Sequence, residues 1–323
     1  MSSIWRISMF SSLAAQLATA CPVATYIKVV FMPHETAGKN GRGDGRAVEM
    51  TIHKVSRSTP RIAHRASGFH EGERVVPEEV PVAVSYNGST QAVMMATPDN
   101  LEDFGIGFTL TENIVDDISE IETVEVVAFE KGIDIQIRLS ERPEQRLAAR
   151  RRFMAGPVGC GLCGIDSIDH ALRSLQALEQ SGRTFSPHDI SQAVGSLADE
   201  QRLNSQTHAV HAAGFYVPGN GLIAVREDVG RHNALDKLVG AVLLIGCSPE
   251  DGIVVITSRV SVEMVQKAVM FGAPVLAAIS APTALAIRTA DEANLTLVAL
   301  VRGDDFDLYA HRERIIGEGP AFS

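Results

Sequence analysis

Between Val80 and Leu139 the apolar positions follow two different periods. Val80 to Tyr86 alternates loosely and is rich in valine, Asn87-Gly88 follows, and Thr90 to Met95 resumes the alternation. That pattern predicts strand, tight turn, strand. Thr97-Pro98-Asp99 then reads as a helix start, with a capping hydroxyl, proline at the first helical position and an early acid. Leu101, Phe104 and Phe108 fall on one face of that helix, which predicts that it packs on a core. Val124 to Phe129 and Ile133 to Leu139 read as two more strands around Lys131-Gly132. Together these segments predict a small α+β domain over residues 63–155.

The second half changes rhythm. Ile253 to Thr257, Val275 to Ile279 and Leu295 to Val301 are short apolar runs. Ser261 to Phe271, closed by Gly272 and Pro274, and Pro282 to Ala293 carry helical spacing between them. Strand and helix alternating through short loops predict parallel strands with right-handed crossovers. Ala212 to Val217 and Gly221 to Val225 are expected to join the same sheet. Ile165, Ile168, Leu172, Leu175 and Leu178 keep helical spacing too, with Asp166 or Ser167 as cap. The expected class is α/β, a small α+β domain followed by a second domain over 156–323 with a mixed, largely parallel sheet.

Residues 1–62 read as a disordered extension, with Thr36 to Arg46 as linker. Ile7 to Ala20, after Arg6 and ending in Ala18-Thr19-Ala20, has the outline of an export leader, diluted by Ser8, Ser11, Ser12 and Gln16. Met50 is an alternative start. No apolar run reaches the length of a membrane span. A net charge of −10 over 323 residues argues against general nucleic-acid binding. Four cysteines, two of them isolated at Cys21 and Cys247, do not make a disulfide framework, so the expected setting is a reducing cytoplasm.

The other two cysteines stand together in Gly159-Cys160-Gly161-Leu162-Cys163-Gly164. A glycine-rich loop before a helix N-terminus lowers a thiol's pKa and leaves the sulfur uncrowded. Three chemistries fit. The pair is half a zinc site, which His208 and His211 would complete, although two residues between the histidines is a short spacing. It is a dithiol redox site, although glycines replace the bulky residues of that class. Or it carries sulfur as a persulfide, one thiolate attacking a donor and its neighbour aiding release. Zinc deaminase chemistry needs H-x-E and P-C-x-x-C, and Gly159 stands where the proline belongs.

Two further segments attract notice. In Glu227-Asp228-Val229-Gly230-Arg231-His232 one reading is a structural turn made by Asp228 and Arg231, with Asn233 capping the helix that holds Leu235 and Leu238. The other has Arg231 and His232 lining a pocket. Gly105-Ile106-Gly107 is no dinucleotide fingerprint, because the third glycine is missing and no strand leads into it.

The cysteine loop resembles the CGxCG loop of the FdhD/NarQ family of formate dehydrogenase accessory proteins. Met94-Met95-Ala96-Thr97-Pro98, Leu101 to Phe104, Gly107 to Glu112, Glu227 to Lys237 and Ser258 to Ala268 resemble further blocks of that family, in order from about Val80 to Tyr309. The resemblance implies a sulfur carrier that takes persulfide sulfur from a cysteine desulfurase. It passes that sulfur to the molybdenum or tungsten bis(molybdopterin guanine dinucleotide) of the formate dehydrogenase catalytic subunit. It also implies a cytidine-deaminase-like second domain without the deaminase zinc ligands. By position Cys160 takes the persulfide role and Cys163 the helper's. A polyanionic cargo seeks helix N-termini and arginines at the C-terminal ends of parallel strands. Ser258, Arg259 and Ser261, then Ser280, then Arg302 and Gly303 stand there. The resemblance points independently to Leu300-Val301-Arg302-Gly303-Asp304-Asp305, with one departure, Asp305 where a basic residue is usual. Nucleic acid, membrane and a resident metal are not expected. The sequence leaves the oligomeric state open, a homodimer included. It also leaves a rival from another class, a binding chaperone whose CxxC loop only shields the cofactor or holds zinc.

Overall fold

A computed structural model describes residues 28–33, 54–145, 147, 175–180 and 182–317. A five-stranded sheet runs β1-β6-β7-β4-β5, built from β1 (Lys28–Pro33), β4 (Val80–Tyr86), β5 (Ser89–Ala96), β6 (Ile121–Phe129) and β7 (Gly132–Leu139). The β4–β5 turn is the expected one: Tyr86 pairs with Ser89, and Asn87 and Gly88 take φ of 48° and 81°, the left-handed pair that matches strand twist. β1 pairs in parallel with β6. It lies within the stretch expected to be disordered, as does part of the hairpin of β2 (Ser56–Arg65) and β3 (Gly68–Pro77). Val29-Val30-Phe31 supplies the β-branched and aromatic side chains of a strand; the linker-like residues around it masked that signal.

The second sheet has six strands in the order β13-β12-β11-β10-β8-β9: β8 (His211–Val217), β9 (Gly221–Asp228), β10 (Ile253–Ile256), β11 (Val275–Ala278), β12 (Thr296–Arg302) and β13 (Asp305–Ala310). β10, β11 and β12 are parallel neighbours, while β8, β9 and β13 join antiparallel. Both faces are covered. Ile253 and Val255 of β10, with Val275 and Ala277 of β11, meet Ile190, Val194 and Leu197 of α2 (Pro187–Asp199). Their alternates Val254, Ile256, Leu276 and Ala278 face the opposite core. That core is filled by α4 (Arg231–Ile245), α5 (Val262–Phe271) and α6 (Ala284–Glu292). Continuous apolar runs are what a doubly covered parallel sheet requires. The helix α2 went unpredicted although its start is explicit: Ser186 and Asp189 form a reciprocal capping box and Pro187 sits in the first turn.

The two sheets share one core. It runs from Val82 and Ile135 of the first sheet, through Phe104 and Leu110 of α1 (Leu101–Thr111), to Leu238 of α4 and Leu297 of β12. The helices α1 and α4 touch backbone to backbone. A Cβ on Gly107 would overlap the carbonyl of Asp236, and one on Gly240 would overlap that of Asp103. Gly105-Ile106-Gly107 is therefore a packing motif.

Helix starts differ from expectation where tertiary partners intervene. The helix α1 begins at Leu101 behind Asn100, because Thr97 donates its N–H to Asp228 and accepts the Val229 N–H on its hydroxyl. The helical spacing carried to Leu178 does not hold there. Residues 175–180 form no helix, and Leu178 is tied through its own N–H to Ala293 O and through its carbonyl to Asn294. The junction near residue 155 lies outside the described residues. No helix among the described residues is long and apolar enough to cross a membrane.

Candidate functional site

Register places one end of every strand of the second sheet on a common rim. Ile256 stands opposite Ala278 and Ala213, and His211 opposite Asp228. The rim therefore gathers the chain after β10, β11, β12 and β9. The expected cargo residues lie on it. Thr257 bonds to Ala212 of β8, and Ser258 is buried with its hydroxyl donated to Arg259 O. Arg259 is exposed, and the next residue, Val260, donates its N–H to Ala281 O beside Ser280. Ser280 is half-buried and its carbonyl accepts the Leu300 N–H. Leu300 has φ 57° inside a break in the β12–β13 register, and its side chain is 38% exposed. That left-handed residue puts the exposed Leu300 side chain beside Val301, which is buried against the α2 face.

Arg302 folds back over the sheet end. One guanidinium nitrogen, Nη1, donates to Ile279 O at 2.5 Å and Val301 O at 2.8 Å. Gly303 takes φ 58° and, with Asp304, turns the chain so that Asp305 pairs with Arg302 in the ladder. Arg302, Gly303, Asp304 and Asp305 are all exposed. The rim thus presents two guanidinium groups, a hydroxyl and exposed main chain, which is the equipment for holding a polyanion. Asp304 and Asp305 oppose that charge.

At the far side of the rim Asp228 is a knot. Its carboxylate accepts from Thr97 N, Gly230 N, the Asn233 amide and the Lys237 ammonium, all at 2.7–3.0 Å. The structural-turn reading holds for Asp228. Asn233 is not the cap of α4: Gly230 is, and the Asn233 amide also reaches Met95 O. Arg231 and His232 open α4 half-buried, and Arg231 Nε and His232 Nε2 find no partner among the described residues. Burial first, then the cations Arg231 and Lys267, push the His232 imidazole down to about 4, so it is neutral near pH 7.

Sequence reasoning missed the charge clusters between the sheets. The Lys267 ammonium, 5% exposed, donates to both Asp236 oxygens, to Thr111 and to Glu112 at 2.8–3.0 Å. Burial works against its charge, but Asp236 and Glu112 outweigh it and raise the pKa. Lys237, fully buried, donates to Asp228 and Thr97 O. The signal was present: Asp236 and Lys237 inside α4 and Lys267 inside α5 stand among largely apolar neighbours.

Cys160 and Cys163 lie outside the described residues. His208 is exposed at the end of α3 (Arg202–Thr207), in left-handed backbone, and His211 opens β8. Among the described residues no group of three or more His, Cys, Asp and Glu is placed to hold a metal. A cavity of about 720 Å³ lies elsewhere, along β9 and between α3 and the Thr97–Asn100 segment.

The family model for FdhD/NarQ matches residues 77–316. The chain belongs to the FdhD/NarQ family. Sulfur carrier protein FdhD of Brucella abortus is 69% identical over 267 residues, 83% of this chain and 99% of that protein. The protein of that name from Agrobacterium fabrum is 57% identical over 270 residues, 84% and 98% of the two chains. The crystal structure of a putative formate dehydrogenase accessory protein from Desulfotalea psychrophila superposes with TM-score 0.65 at 25% identity. It covers 81% of this chain and 100% of that one. The FdhD/NarQ match takes in the rim, the Asp228 knot, the buried lysines and both cysteines, and stops at the root of the β2–β3 hairpin.

Proposed function

We propose that this chain is a sulfur carrier serving formate dehydrogenase. The observation that carries the reading is its 69% identity to a sulfur carrier protein along nearly the whole of that relative. In this reading the Cys160 thiolate attacks the outer sulfur of a persulfide held by a cysteine desulfurase. The donor's S–S bond breaks, its cysteine leaves as thiolate, and Cys160 becomes the persulfide. The Cys163 thiolate then attacks the inner sulfur. The terminal sulfur leaves as sulfide for the metal, and a Cys160–Cys163 disulfide remains for a thiol reductant to reopen. The receiving cargo is the molybdenum or tungsten bis(molybdopterin guanine dinucleotide). Arg259 and Arg302 pair with its phosphates, and Ser280 and the main chain of Leu300 to Asp305 orient it. The setting is the reducing cytoplasm, where thiols stay free.

Intact mass after incubation with a cysteine desulfurase and cysteine tests the first step. An adduct of about 32 Da, one sulfur gained by exchange, is expected on the wild-type chain and not on Cys160→Ala. Active formate dehydrogenase in cells carrying both Cys160→Ala and Cys163→Ala would overturn the carrier mechanism in favour of a binding chaperone.

A further inference from the structure

Helices α4 and α5 leave the rim side by side. The first follows β9 and the second follows β10, and β8 lies between those two strands. The gap between the helix starts therefore stands over the end of β8. The starts are level, because Asp236, the sixth residue of α4, is bonded to Lys267, the sixth residue of α5. Helices aligned in this way aim their free first-turn N–H groups and the positive ends of their dipoles at one place. Neither start carries a side-chain cap, although Ser261, a favoured capping residue, precedes α5.

The side chains make this gap a site. Four buried side-chain polar atoms among the described residues lack an aligned partner, and three of them, Arg231 Nε, His232 Nε2 and Ser261 Oγ, stand at these two starts. A buried donor left unmade is costly, so three in one place mark a spot shaped for something that bonds to them. The surrounding charge says what that is. No ion pair among the described residues engages Arg231. Lys267, behind it, is committed to Asp236 and Glu112. Glu263 is exposed beside the gap. Its carboxyl is held below the usual range by the nearby Ser261 hydroxyl first, then, against burial, by its own N–H, His232 and Arg231. One unpaired guanidinium next to one carboxylate suits a small monoanion. A phosphate dianion would set two charges against Glu263.

We propose that Arg231, His232 and Ser261 form a receiving pocket for a single sulfur anion, the hydrosulfide set free in transfer. The proposal rests on the sulfur-carrier reading and names where that sulfur waits. The Arg231 Nε–H, the Ser261 O–H and the His232 tautomer with hydrogen on Nε2 donate to it, with the helix N–H groups behind. No bond changes in the pocket. The hydrosulfide already carries the electron pair of the broken S–S bond, and the pocket holds that charge until the metal takes it up. Strand order puts three spacings between β12 and β8, about 14 Å. Phosphates resting on Arg302 thus leave the other end of the cofactor over the gap.

NMR of the His232 ring in the full chain, histidine-labelled and anaerobic, tests this. Sodium hydrosulfide is expected to shift the His232 signals saturably. Arg231→Gln is expected to raise the dissociation constant by about tenfold or more, the loss of one charged hydrogen bond. Arg231→Lys, which keeps the charge without the fork, is expected to recover only part of that. Ser261→Ala is the second variant, expected to weaken binding less, and circular dichroism shows that each chain folds. A response to inorganic phosphate but not to hydrosulfide overturns the proposal. So does no response to either anion, or an Arg231→Gln chain that binds like wild type. Delivery separates this pocket from the carrier reading. Each chain is first loaded with a cysteine desulfurase and its mass checked, and loaded Arg231→Gln is expected to activate formate dehydrogenase about tenfold more slowly, matching its weaker binding. A wild type that never gains sulfur overturns the carrier reading, whereas loaded Arg231→Gln that delivers at the wild-type rate overturns the pocket alone.

Discussion

Between the sheets, Lys237 and Lys267 are almost without exposure, each locked to an aspartate and to neighbouring hydroxyl or carbonyl oxygens. On the rim, Arg259 and Arg302 stand in solvent, and among the described residues Arg302 is held through main-chain carbonyls. Both regions are charged and both fall within the family match. Their physical tasks are opposite. An ammonium taken out of water needs every proton occupied, and supplying those partners freezes it. A guanidinium kept in water costs little to hold and stays available to a ligand. Charge that looks alike in sequence is therefore buried architecture in one place and exposed, uncommitted charge in the other, and burial separates the two.

The largest break in that contrast comes from the interior. Lys267→Met leaves Asp236 buried without its cation and is expected to cost about 3–5 kcal/mol in urea unfolding. Pairing it with Asp236→Leu is expected to return much of that loss. A single variant as stable as wild type would erase the distinction between seam and rim. The helix contact comes next. Gly240→Ala drives a methyl into the Asp103 backbone and is expected to cost about 1–3 kcal/mol by thermal unfolding. Gly195→Ala, with open space around it in α2, is expected to be neutral or stabilising by up to about 1 kcal/mol.

His232 sits between the two regions, and pH reads its position. Its folded pKa of about 4 lies below the ordinary histidine value of 6.5. The unfolded chain therefore takes the proton first, and stability is full above about 6.5 and falls as pH drops toward 4. His232→Asn is expected to flatten that slope, measured as unfolding midpoint against pH. The smallest effect on stability belongs to the rim. Arg302→Ala is expected to change unfolding free energy by less than about 0.5 kcal/mol, while calorimetric titration shows weaker binding of a guanine dinucleotide cofactor. A large loss of stability there would make Arg302 architectural too.

Much of this was legible. Alternation and Asn87-Gly88 give the β4–β5 hairpin, and the apolar runs give β10, β11 and β12, because local period and turn chemistry decide those elements. The helix α1 starts later than its cap signal because Asp228 and Val229, over a hundred residues away, engage the N–H and the hydroxyl of Thr97. No local rule contains that. The rim residues were found from their place after parallel strands, yet Val301 in that stretch turns inward. The single left-handed residue at Leu300 redirects the chain, and nothing in a leucine announces it.

The glycine contact between α1 and α4 bears on how the molecule can be divided. Helices that meet main chain to main chain leave no layer of side chains to form a separate surface for each half. Severed between the sheets, the first half would turn Phe104, Phe108 and Leu110 toward water. The second would expose Leu235, Leu238 and Val242. The two sheets are thus one indivisible unit, and a gene fragment for either alone encodes half of an interior.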